Sequence, residues 1–253
     1  MKKKLILISN DDGINANGIK ALVQAVKHLG DIIVVAPESA RSAMSNAITT
    51  RKPMRANFIS ENEIVKIYTC SGTPTDCNKI ALNQILNRTP DIVLSGINHG
   101  SNSSISVLYS GTMGICLDAC VYGIPAVGFS LCSFDHKEDL SEAMKIAEKI
   151  TALILEKGLP HGTCLNVNIP KGKVNGIKIC RQTKGHWQEI FLTGKDPSGK
   201  DFYWLGGDFI NDEKGIEGTD ETAIENGFAS VVPIKIDMTD YDLLNELNSW
   251  NID

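Results

Sequence analysis

Short, continuous runs of apolar residues recur along the first half of the chain and predict buried strands. They lie at residues 5–8, 32–35, 91–94 and 126–129. The runs are continuous instead of alternating, which is typical of parallel strands covered on both faces. A further β-like segment covers residues 64–69, after a polar stretch that predicts a loop.

Between these runs, apolar residues recur at helical spacing or follow helix-start signals. The predicted helices cover residues 19–29, 73–86, 109–123 and 139–157. Thr73 with Pro74 behind it is a typical N-cap and first helical residue, and Gly30 and Gly158 are typical helix ends. Strands alternating with helices predict an α/β fold with a mostly parallel sheet.

The pattern changes after about residue 163. Apolar residues alternate at 165, 167 and 169 and again at 177 and 179, and residues 225–236 contain another β-rich run. Residues 183–220 are rich in Gly and Asp and carry several aromatic residues, which predicts long hairpins that reach subunit contacts. We interpret the chain as a single domain (1–253), with a core at 1–160 and, at 161–253, a β-rich extension with a C-terminal helix used in oligomerisation.

Polar residues follow three of the predicted strands. Asp11 and Asp12 come directly after the first strand, Ser42 lies in the loop after the second, and Asn98 follows the third. The carboxyl ends of parallel strands meet at one edge of the sheet, where ligands bind. Two adjacent carboxylates stay ionised only with a positive charge between them, and oxygen donors of this kind suit Mg²⁺ or Mn²⁺. The pattern predicts a metal site, with a plain Asp-Gly turn as the alternative.

A second group of residues is rich in glycine and hydroxyl groups. It comprises residues 98–102 and 109–114, and the latter stretch lies where a predicted helix begins. The free N–H groups and positive dipole end of a helix N-terminus favour an anion such as phosphate. The alternative is that Ser110 is only an N-cap and that the glycines only permit close packing.

Composition and charge restrict the class of protein. The chain has 253 residues, of which 42% are hydrophobic, and its net charge is −5. These values predict a sizeable core and argue against binding to nucleic-acid polymers, which requires clustered Lys and Arg. A local site for a small phosphorylated ligand remains compatible with them.

The cysteines and the N-terminus bear on the location of the protein. The seven cysteines form no CxxC pair, which favours buried, reduced thiols over a zinc or disulfide framework. The basic start, residues 1–4, imitates a signal peptide, but the apolar run behind it is too short. No stretch approaches the roughly 20 apolar residues of a membrane helix. We therefore predict a cytoplasmic protein without membrane contact.

Six ordered motifs resemble the SurE family of survival-protein 5′-nucleotidases. They are SNDDGINANGIKAL, VVAPESARSAMSNAIT, SGTPTDCNKIAL, LSGINHGSN, YSGTMGICLDACVYGIPAVGFSL and GTDETAIENGFASVVPI. The resemblance implies a Rossmann-like three-layer core with a β-hairpin extension, a dimer or tetramer, and metal-dependent hydrolysis of nucleoside 5′-monophosphates. It also implies site residues. One divalent ion, Mg²⁺ or Mn²⁺, is bound by Asp11, Asp12, Ser42 and Asn98, and phosphate by Asn102, Ser110, Gly111 and Thr112.

The chain departs from the family pattern at a few positions outside the implied ligands. Asp118 stands where the family usually has Glu, Ala43 where Gly is frequent, and Ser103-Ser104 where Leu-Gly is usual. None of the six motifs covers the hairpin region 183–215, so the preference for base and sugar stays open.

The predicted reaction is attack by a metal-activated water on the phosphomonoester. Asn102, Ser110 and Thr112 would stabilise charge on the phosphoryl oxygens, and either Asp11 or Asp12 could accept the proton of the water. The alternatives are a haloacid-type aspartyl-phosphate hydrolase, a non-catalytic nucleotide sensor, and a broader phosphomonoesterase or exopolyphosphatase. A dehydrogenase is disfavoured because the first strand–helix turn lacks G-x-G-x-x-G.

Overall fold

A computed structural model describes residues 3–250 of the chain. Part of the basic start and the last three residues of the predicted extension lie outside this range. The strands are β1 (Leu5–Ser9), β2 (Asp31–Pro37), β3 (Ala56–Glu61), β4 (Val65–Cys70), β5 (Ile92–His99), β6 (Ala126–Leu131), β7 (Thr163–Ile169), β8 (Ile177–Ile179), β9 (Gly185–Lys195), β10 (Asp201–Asn211) and β11 (Ala229–Lys235). The α-helices are α1 (Asn17–Val26), α2 (Pro74–Ile80), α3 (Gly111–Val121), α4 (Ser141–Lys157), α5 (Asp220–Glu225) and α6 (Tyr241–Leu247).

Nine of the strands form one twisted sheet in the order β3-β4-β2-β1-β5-β6-β7-β11-β8. The six strands from β4 to β7 are mutually parallel, whereas β3 and β11 run antiparallel to β4 and β7. The predicted α/β fold with a mostly parallel sheet is confirmed. Strands β7, β8 and β11 from the predicted extension belong to this same sheet.

Helices cover both faces of the sheet and make a three-layer structure. On one face, α1 and α4 pack on side chains such as Ile8, Val34 and Leu94. On the other, α2 and α3 pack on Leu7 and Val93. Successive residues of a strand point to opposite faces, so an uninterrupted apolar run supplies both cores.

The chain reverses its direction of travel across the sheet between β1 and β5. From β1 it moves outward through β2 to β4 and β3, and then returns to β5 on the other side of β1. Such a switch point leaves a crevice at the carboxyl ends of the two strands, where open α/β sheets bind ligands. The acidic pair at the end of β1 lies at this crevice.

Strands β9 and β10 form a separate two-stranded antiparallel hairpin, with Gly185 opposite Asn211 at its base. This confirms the long hairpin predicted in the 183–220 region. Most of its side chains are exposed, including Phe191, Tyr203 and Trp204.

Two local predictions are wrong. The polar stretch predicted as a loop before residue 64 contains β3, whose six residues are all exposed at the sheet edge. An edge strand of this kind carries no continuous apolar run and so resembles a loop in sequence. The strand predicted at 91–94 continues to His99, with a register shift against β6 between Ser95 and Asn98.

The prediction that the cysteines are buried is confirmed for six of the seven. All seven are free within the described residues, and six of them are buried, with Cys132 partly exposed. Across residues 3–250, no helix combines the length and apolar character needed to cross a bilayer.

Candidate active site

The turn after β1 presents Asp11 and Asp12 to the crevice. Asn10 closes this turn on itself, because its side-chain amide donates to the Gly13 carbonyl (2.9 Å) and its amide oxygen accepts from the Gly13 N–H (3.2 Å). Gly13 has φ +91°, a left-handed conformation that side chains rarely adopt. The sequence Asn-Asp-Asp-Gly therefore fixes both aspartates at the end of the strand.

Asp11 is a buried carboxylate held by the start of α3. The Thr112 hydroxyl donates to its Oδ1 at 2.6 Å. A Cβ at Gly111 would lie 2.8 Å from the Asp11 Cβ, so only glycine permits this approach. Burial raises the pKa of Asp11 to about 6; the Thr112 hydrogen bond opposes this shift and the charge of Asp12 adds to it. Such a carboxylate gains from a nearby cation.

Asp12 joins the first loop to the end of β5. Its Oδ2 accepts the backbone N–H of His99 at 3.3 Å and lies 3.7 Å from the His99 Nδ1. The His99 side chain is only 1% exposed, and neither ring nitrogen has a hydrogen-bond partner within the described residues. The two loops that carry the predicted ligands are thus in direct contact.

Asn98 lies beside His99 with its amide oxygen available. Its Nδ2 donates to the Gly100 carbonyl at 2.8 Å, which orients the side chain and leaves Oδ1 free to coordinate. An amide oxygen is a suitable ligand for a hard cation.

Ser42 comes from the loop after β2, which backbone and side-chain contacts hold against the site. The Arg41 N–H donates to the Asp11 carbonyl at 2.7 Å, and the Ser45 hydroxyl donates to the Leu108 carbonyl at 2.7 Å. Ser42 itself is exposed and lines the same cavity as the two aspartates.

Asn102 is fixed by a buried network of amide side chains. Its Nδ2 donates to the Ser130 hydroxyl (2.7 Å), and its backbone N–H donates to the Asn168 Oδ1 (2.8 Å). The Asn166 amide donates to the Asn102 carbonyl (2.8 Å), and Asn168 donates to Asn166 Oδ1 (3.1 Å). The network holds the loop after β5 in one position and leaves one N–H of the Asn102 amide free for a ligand.

Ser110 is the N-cap of α3, as the sequence suggested. Its Oγ accepts the Met113 N–H at 3.1 Å, so its own proton remains available to a ligand. Ser110 lines the cavity, whereas Gly111 and Thr112 lie behind it against Asp11.

One cavity of about 650 Å³ connects these groups. Six of the predicted site residues line it, namely Asp11, Asp12, Ser42, Asn98, Asn102 and Ser110. The cavity continues to the loop after β6 and to the base of the β9–β10 hairpin, where its walls include Phe134, His136, Trp187 and Glu189.

The donor set fits a divalent ion of the Mg²⁺ or Mn²⁺ type. No group of three or more His, Cys, Asp or Glu suited to a metal occurs among residues 3–250. Any cation here would therefore rely on neutral oxygens beside the two carboxylates. The Ser42 hydroxyl and the Asn98 amide are such donors on the same cavity wall, and hard cations accept this mixture.

The sequence does not predict the role of several residues around the cavity. Asn166 and Asn168 alternate with apolar residues in β7, a pattern that indicates an exposed face, although both are buried. His99 lies in the LSGINHGSN motif, but nothing in the sequence predicts that its side chain is buried. Trp187 is one of the aromatic residues of 183–220 that predict subunit contacts, and nothing in the sequence connects it to the cavity at the end of β1, which it lines.

Comparisons with known proteins show the family of the chain. The family described as "Survival protein SurE" matches residues 6–189. A "5′-nucleotidase SurE" of Flavobacterium psychrophilum is 50% identical across 100% of this chain and 99% of its own length. A second protein of that name, from Christiangramia forsetii, is 49% identical over 99% of this chain and 98% of its own.

A solved structure supports the same assignment. The crystal structure of the SurE protein from Aquifex aeolicus superimposes with a TM-score of 0.82 at 35% identity, covering 96% of this chain and 98% of that one. Similarity of fold and of sequence thus extends over nearly the whole length, including the loops that carry the acidic pair. The chain belongs to the SurE family.

Proposed function

We propose that the protein is a 5′-nucleotidase that hydrolyses nucleoside 5′-monophosphates to nucleoside and phosphate, with one divalent ion per subunit. The observation that carries the proposal is the convergence of Asp11, Asp12, Ser42 and Asn98 from three loops on one cavity at the sheet's switch point. The full-length relatives named 5′-nucleotidase SurE support it.

The charge of the cavity favours a substrate with a single phosphoryl group. Its acidic lining residues are Asp11, Asp12 and Glu189, and within the part of the chain that the structure describes no Lys or Arg lines it. A polyphosphate chain carries several negative charges and needs Lys or Arg along its length. A monophosphate beside one cation needs none, so this lining supports the nucleotidase over an exopolyphosphatase.

Asp11, Asp12, Ser42 and Asn98 would hold the ion. When bound, a divalent ion supplies Lewis acidity toward the phosphoryl group and makes a nearby water more acidic. The hydroxyl of Thr112 restrains Asp11 from behind, and the His99 N–H restrains Asp12. The chain thereby fixes both carboxylates before the ligand arrives, which lowers the cost of reorganisation during the reaction.

The remaining groups act on the substrate. The free N–H of the Asn102 amide and the hydroxyl proton of Ser110 can donate to the phosphoryl oxygens, where negative charge develops. Either Asp11 or Asp12 can accept the proton released by the attacking water. The resemblance implies that Thr112 binds phosphate. Its hydroxyl donates to Asp11 instead, so we propose that Thr112 positions the Asp11 carboxylate.

The test is phosphate release from a panel of nucleoside monophosphates with Mg²⁺ or Mn²⁺. We expect Asp11→Asn to lower kcat by at least about 100-fold, the scale of losing a catalytic electrostatic group, with an unchanged melting curve. Glu38→Gln is the matched control, because Glu38 is an exposed carboxylate beside the same rim that does not line the cavity. Chelation should stop turnover and added metal should restore it.

The alternatives predict different results. Tight nucleotide binding with no phosphate released in either metal would support a sensor. A phospho-aspartate trapped on Asp11 or Asp12 would support the haloacid-type mechanism. Turnover that survives exhaustive chelation would contradict the metal dependence.

We further propose that the chain acts as one domain and forms a dimer or tetramer through the β9–β10 hairpin and α6. The hairpin pairs with no other strand within residues 3–250, and an isolated hairpin is marginal in water. Its exposed Leu192, Tyr203 and Trp204 and the exposed Leu243 of α6 form apolar surface that a second copy would cover.

Light scattering tests this assembly. Leu192→Asp should lower the measured mass to that of a smaller species, since a buried charge opposes the contact. Phe58→Asp, a change at another exposed apolar side chain, on edge strand β3, is the control. A wild-type protein that is monomeric at micromolar concentration would contradict the proposal.

We also propose a cytoplasmic location. The seven free thiols of the described chain support it, because such thiols persist in a reducing compartment.

A further inference from the structure

The loop that carries Asn102 is also held by the start of α5. The Ser104 N–H donates to the Asp220 Oδ2 at 2.8 Å, and the Ser103 hydroxyl donates to the Glu221 Oε1. Both serines are buried. The partners lie 116 and 118 residues further along the chain, so α5 adds a long-range support to the active-site loop.

Asp220 makes this support rigid. It is buried, and its Oδ1 accepts the Thr183 N–H at 2.9 Å and the Thr183 hydroxyl at 2.5 Å. The Ser104 hydroxyl donates to the Thr183 carbonyl at 2.8 Å. Ser104 has φ +51°, a conformation that residues other than glycine rarely adopt and that persists only where the surroundings fix it. The backbone at Ser104 is therefore firmly tied to α5.

Glu221 contacts the loop through a side chain instead. A carboxylate only accepts hydrogen bonds, so the single proton of the Ser103 hydroxyl is directed toward it. The Ser101 Oγ accepts the Ser103 N–H at 3.1 Å, and its own proton is shared between the Ser103 Oγ at 2.5 Å and the Asn168 Oδ1 at 3.3 Å. Ser101 lines the cavity. Hydrogen bonds that start at Glu221 thus restrain the residues on both sides of Asn102.

The surroundings of Glu221 make its bond to Ser103 important. Burial raises the pKa of Glu221, and the charges of Asp220 and Glu225 add to this shift, whereas the Ser103 hydrogen bond opposes it. A hydrogen bond to an ionised group is stronger than one between neutral groups. The contact therefore holds Ser103 more firmly than a neutral acceptor would.

We infer that Glu221 is a positioning residue for Asn102 and acts through the Ser103 hydroxyl. The inference rests on the proposed function, in which the Asn102 amide donates to the phosphoryl oxygens. Such a donor stabilises the transition state only when it is fixed in place before the reaction. The short helix α5, outside the cavity, thereby becomes part of the catalytic apparatus.

Steady-state kinetics with AMP and Mn²⁺ test the inference. Glu221→Ala should lower kcat by about 10- to 100-fold, as when a group that supports a site residue is removed. Its KM should stay within about twofold of wild type, because the misplaced donor acts mainly in the transition state. Glu221→Gln should lie within about fivefold of wild type, since its amide oxygen still accepts the Ser103 proton in a weaker, neutral bond. Glu225→Ala, at an exposed carboxylate of the same helix, is the matched control.

A double-mutant cycle tests the route through Ser103. Ser103→Ala should lower kcat as much as Glu221→Ala does. The double variant should lose no more than about a further twofold, because both changes break the same hydrogen bond. Losses that multiply would show that Glu221 acts by another route and would overturn the inference.

Amide hydrogen exchange measures the hold on the loop without any turnover. In Glu221→Ala, the amides of Asn102, Ser103 and Ser104 should exchange about 10-fold faster or more, the factor for losing a hydrogen bond to a charged group that opposes opening of the loop. Glu225→Ala should leave their exchange unchanged.

The outcomes separate this inference from the proposed function. Unchanged kcat or unchanged exchange in Glu221→Ala would overturn it, as would a loss carried by KM alone. A Glu221→Gln protein as slow as Glu221→Ala would overturn it too, because the charge and not the hydrogen bond would then matter. A wild type that releases no phosphate from AMP would contradict the nucleotidase proposal alone, since exchange of the loop would still decide the role of Glu221.

Discussion

Asn168 is the centre of the buried network behind the active site, and its replacement by alanine is a sharp test of that network. Its side chain is fully buried in β7. Oδ1 accepts the backbone N–H of Asn102 at 2.8 Å, and Nδ2 donates to the Asn166 Oδ1 at 3.1 Å. The Ser101 hydroxyl also donates to Oδ1, at 3.3 Å, and has a second partner in Ser103. Asn168→Ala removes all three hydrogen bonds at once and leaves two buried polar groups, the Asn102 N–H and the Asn166 Oδ1, without a partner.

The expected magnitude follows from those two groups. A buried donor or acceptor that loses its partner costs about 1–3 kcal/mol, so the free energy of unfolding should fall by about 2–6 kcal/mol. The loss should also reach the active site, because the Asn102 loop is no longer held by Asn168. We expect kcat/KM for a nucleoside monophosphate to fall by about 10-fold or more, as when a supporting hydrogen bond behind a site is removed.

Urea unfolding followed by circular dichroism measures the first effect, and phosphate release measures the second. Ser230→Ala is the matched control. Ser230 lies directly opposite Asn168 on β11 and is equally buried, but its hydroxyl has no hydrogen-bond partner among the described residues. Removing an unpaired hydroxyl should change stability by less than about 0.5 kcal/mol, or increase it.

Two results would refute this reasoning. The first is an Asn168→Ala protein that unfolds within about 0.5 kcal/mol of wild type. The second is a Ser230→Ala protein that loses as much stability as Asn168→Ala, since the cost would then come from packing at this position and not from hydrogen bonding.

Three further predictions follow from other contacts. Thr112→Val removes the donor to Asp11 and should raise the Mn²⁺ concentration for half-maximal activity about 10- to 100-fold; an unchanged metal titration would contradict it. Gly18→Ala places a Cβ 1.8 Å from the Ile97 carbonyl oxygen and should cost about 1–3 kcal/mol or more in urea unfolding, whereas full stability would show that α1 can shift away. Hydrogen bonds from Arg181, and to a lesser degree from the Lys184 N–H, lower the pKa of Glu213 from 4.5 to about 2, so they stabilise the fold above pH 4.5 and less as the pH falls toward 2. The Tm gap between wild type and Arg181→Gln should shrink over that range, and a constant gap would count against the pair.

Much of the fold could be predicted because the signals are local. The apolar runs at β1, β2, β5 and β6 specify strands buried on both faces, and alternation with helices specifies a parallel sheet. The Thr73 cap was equally readable: its hydroxyl accepts the Asp76 N–H, and Asp76 accepts the Thr73 N–H in return. The acidic pair could be placed at the crevice because the carboxyl ends of parallel strands share one edge.

The features of the site that the sequence does not predict depend on which segment of the folded chain covers a residue. Alternation in β7 shows that Asn166 and Asn168 share a face, and an exposed face was the natural reading. In the structure β7 lies between β6 and β11, and the loop that carries Asn102 closes over that face and pairs with both amides. The two asparagines belong to the site only because the Asn102 loop lies over them.

The sequence by itself determined the α/β class, the buried strands, the helix caps and the position of Asp11 and Asp12 at the end of β1. These features depend on periodicity and on neighbours a few residues away, which the linear order contains. The tertiary structure alone decided that His99 is buried against Asp12, that Asn168 supports Asn102, and that the hairpin brings Trp187 to the same cavity. Such contacts join residues that are far apart in the chain, and their partners are set by how the layers pack.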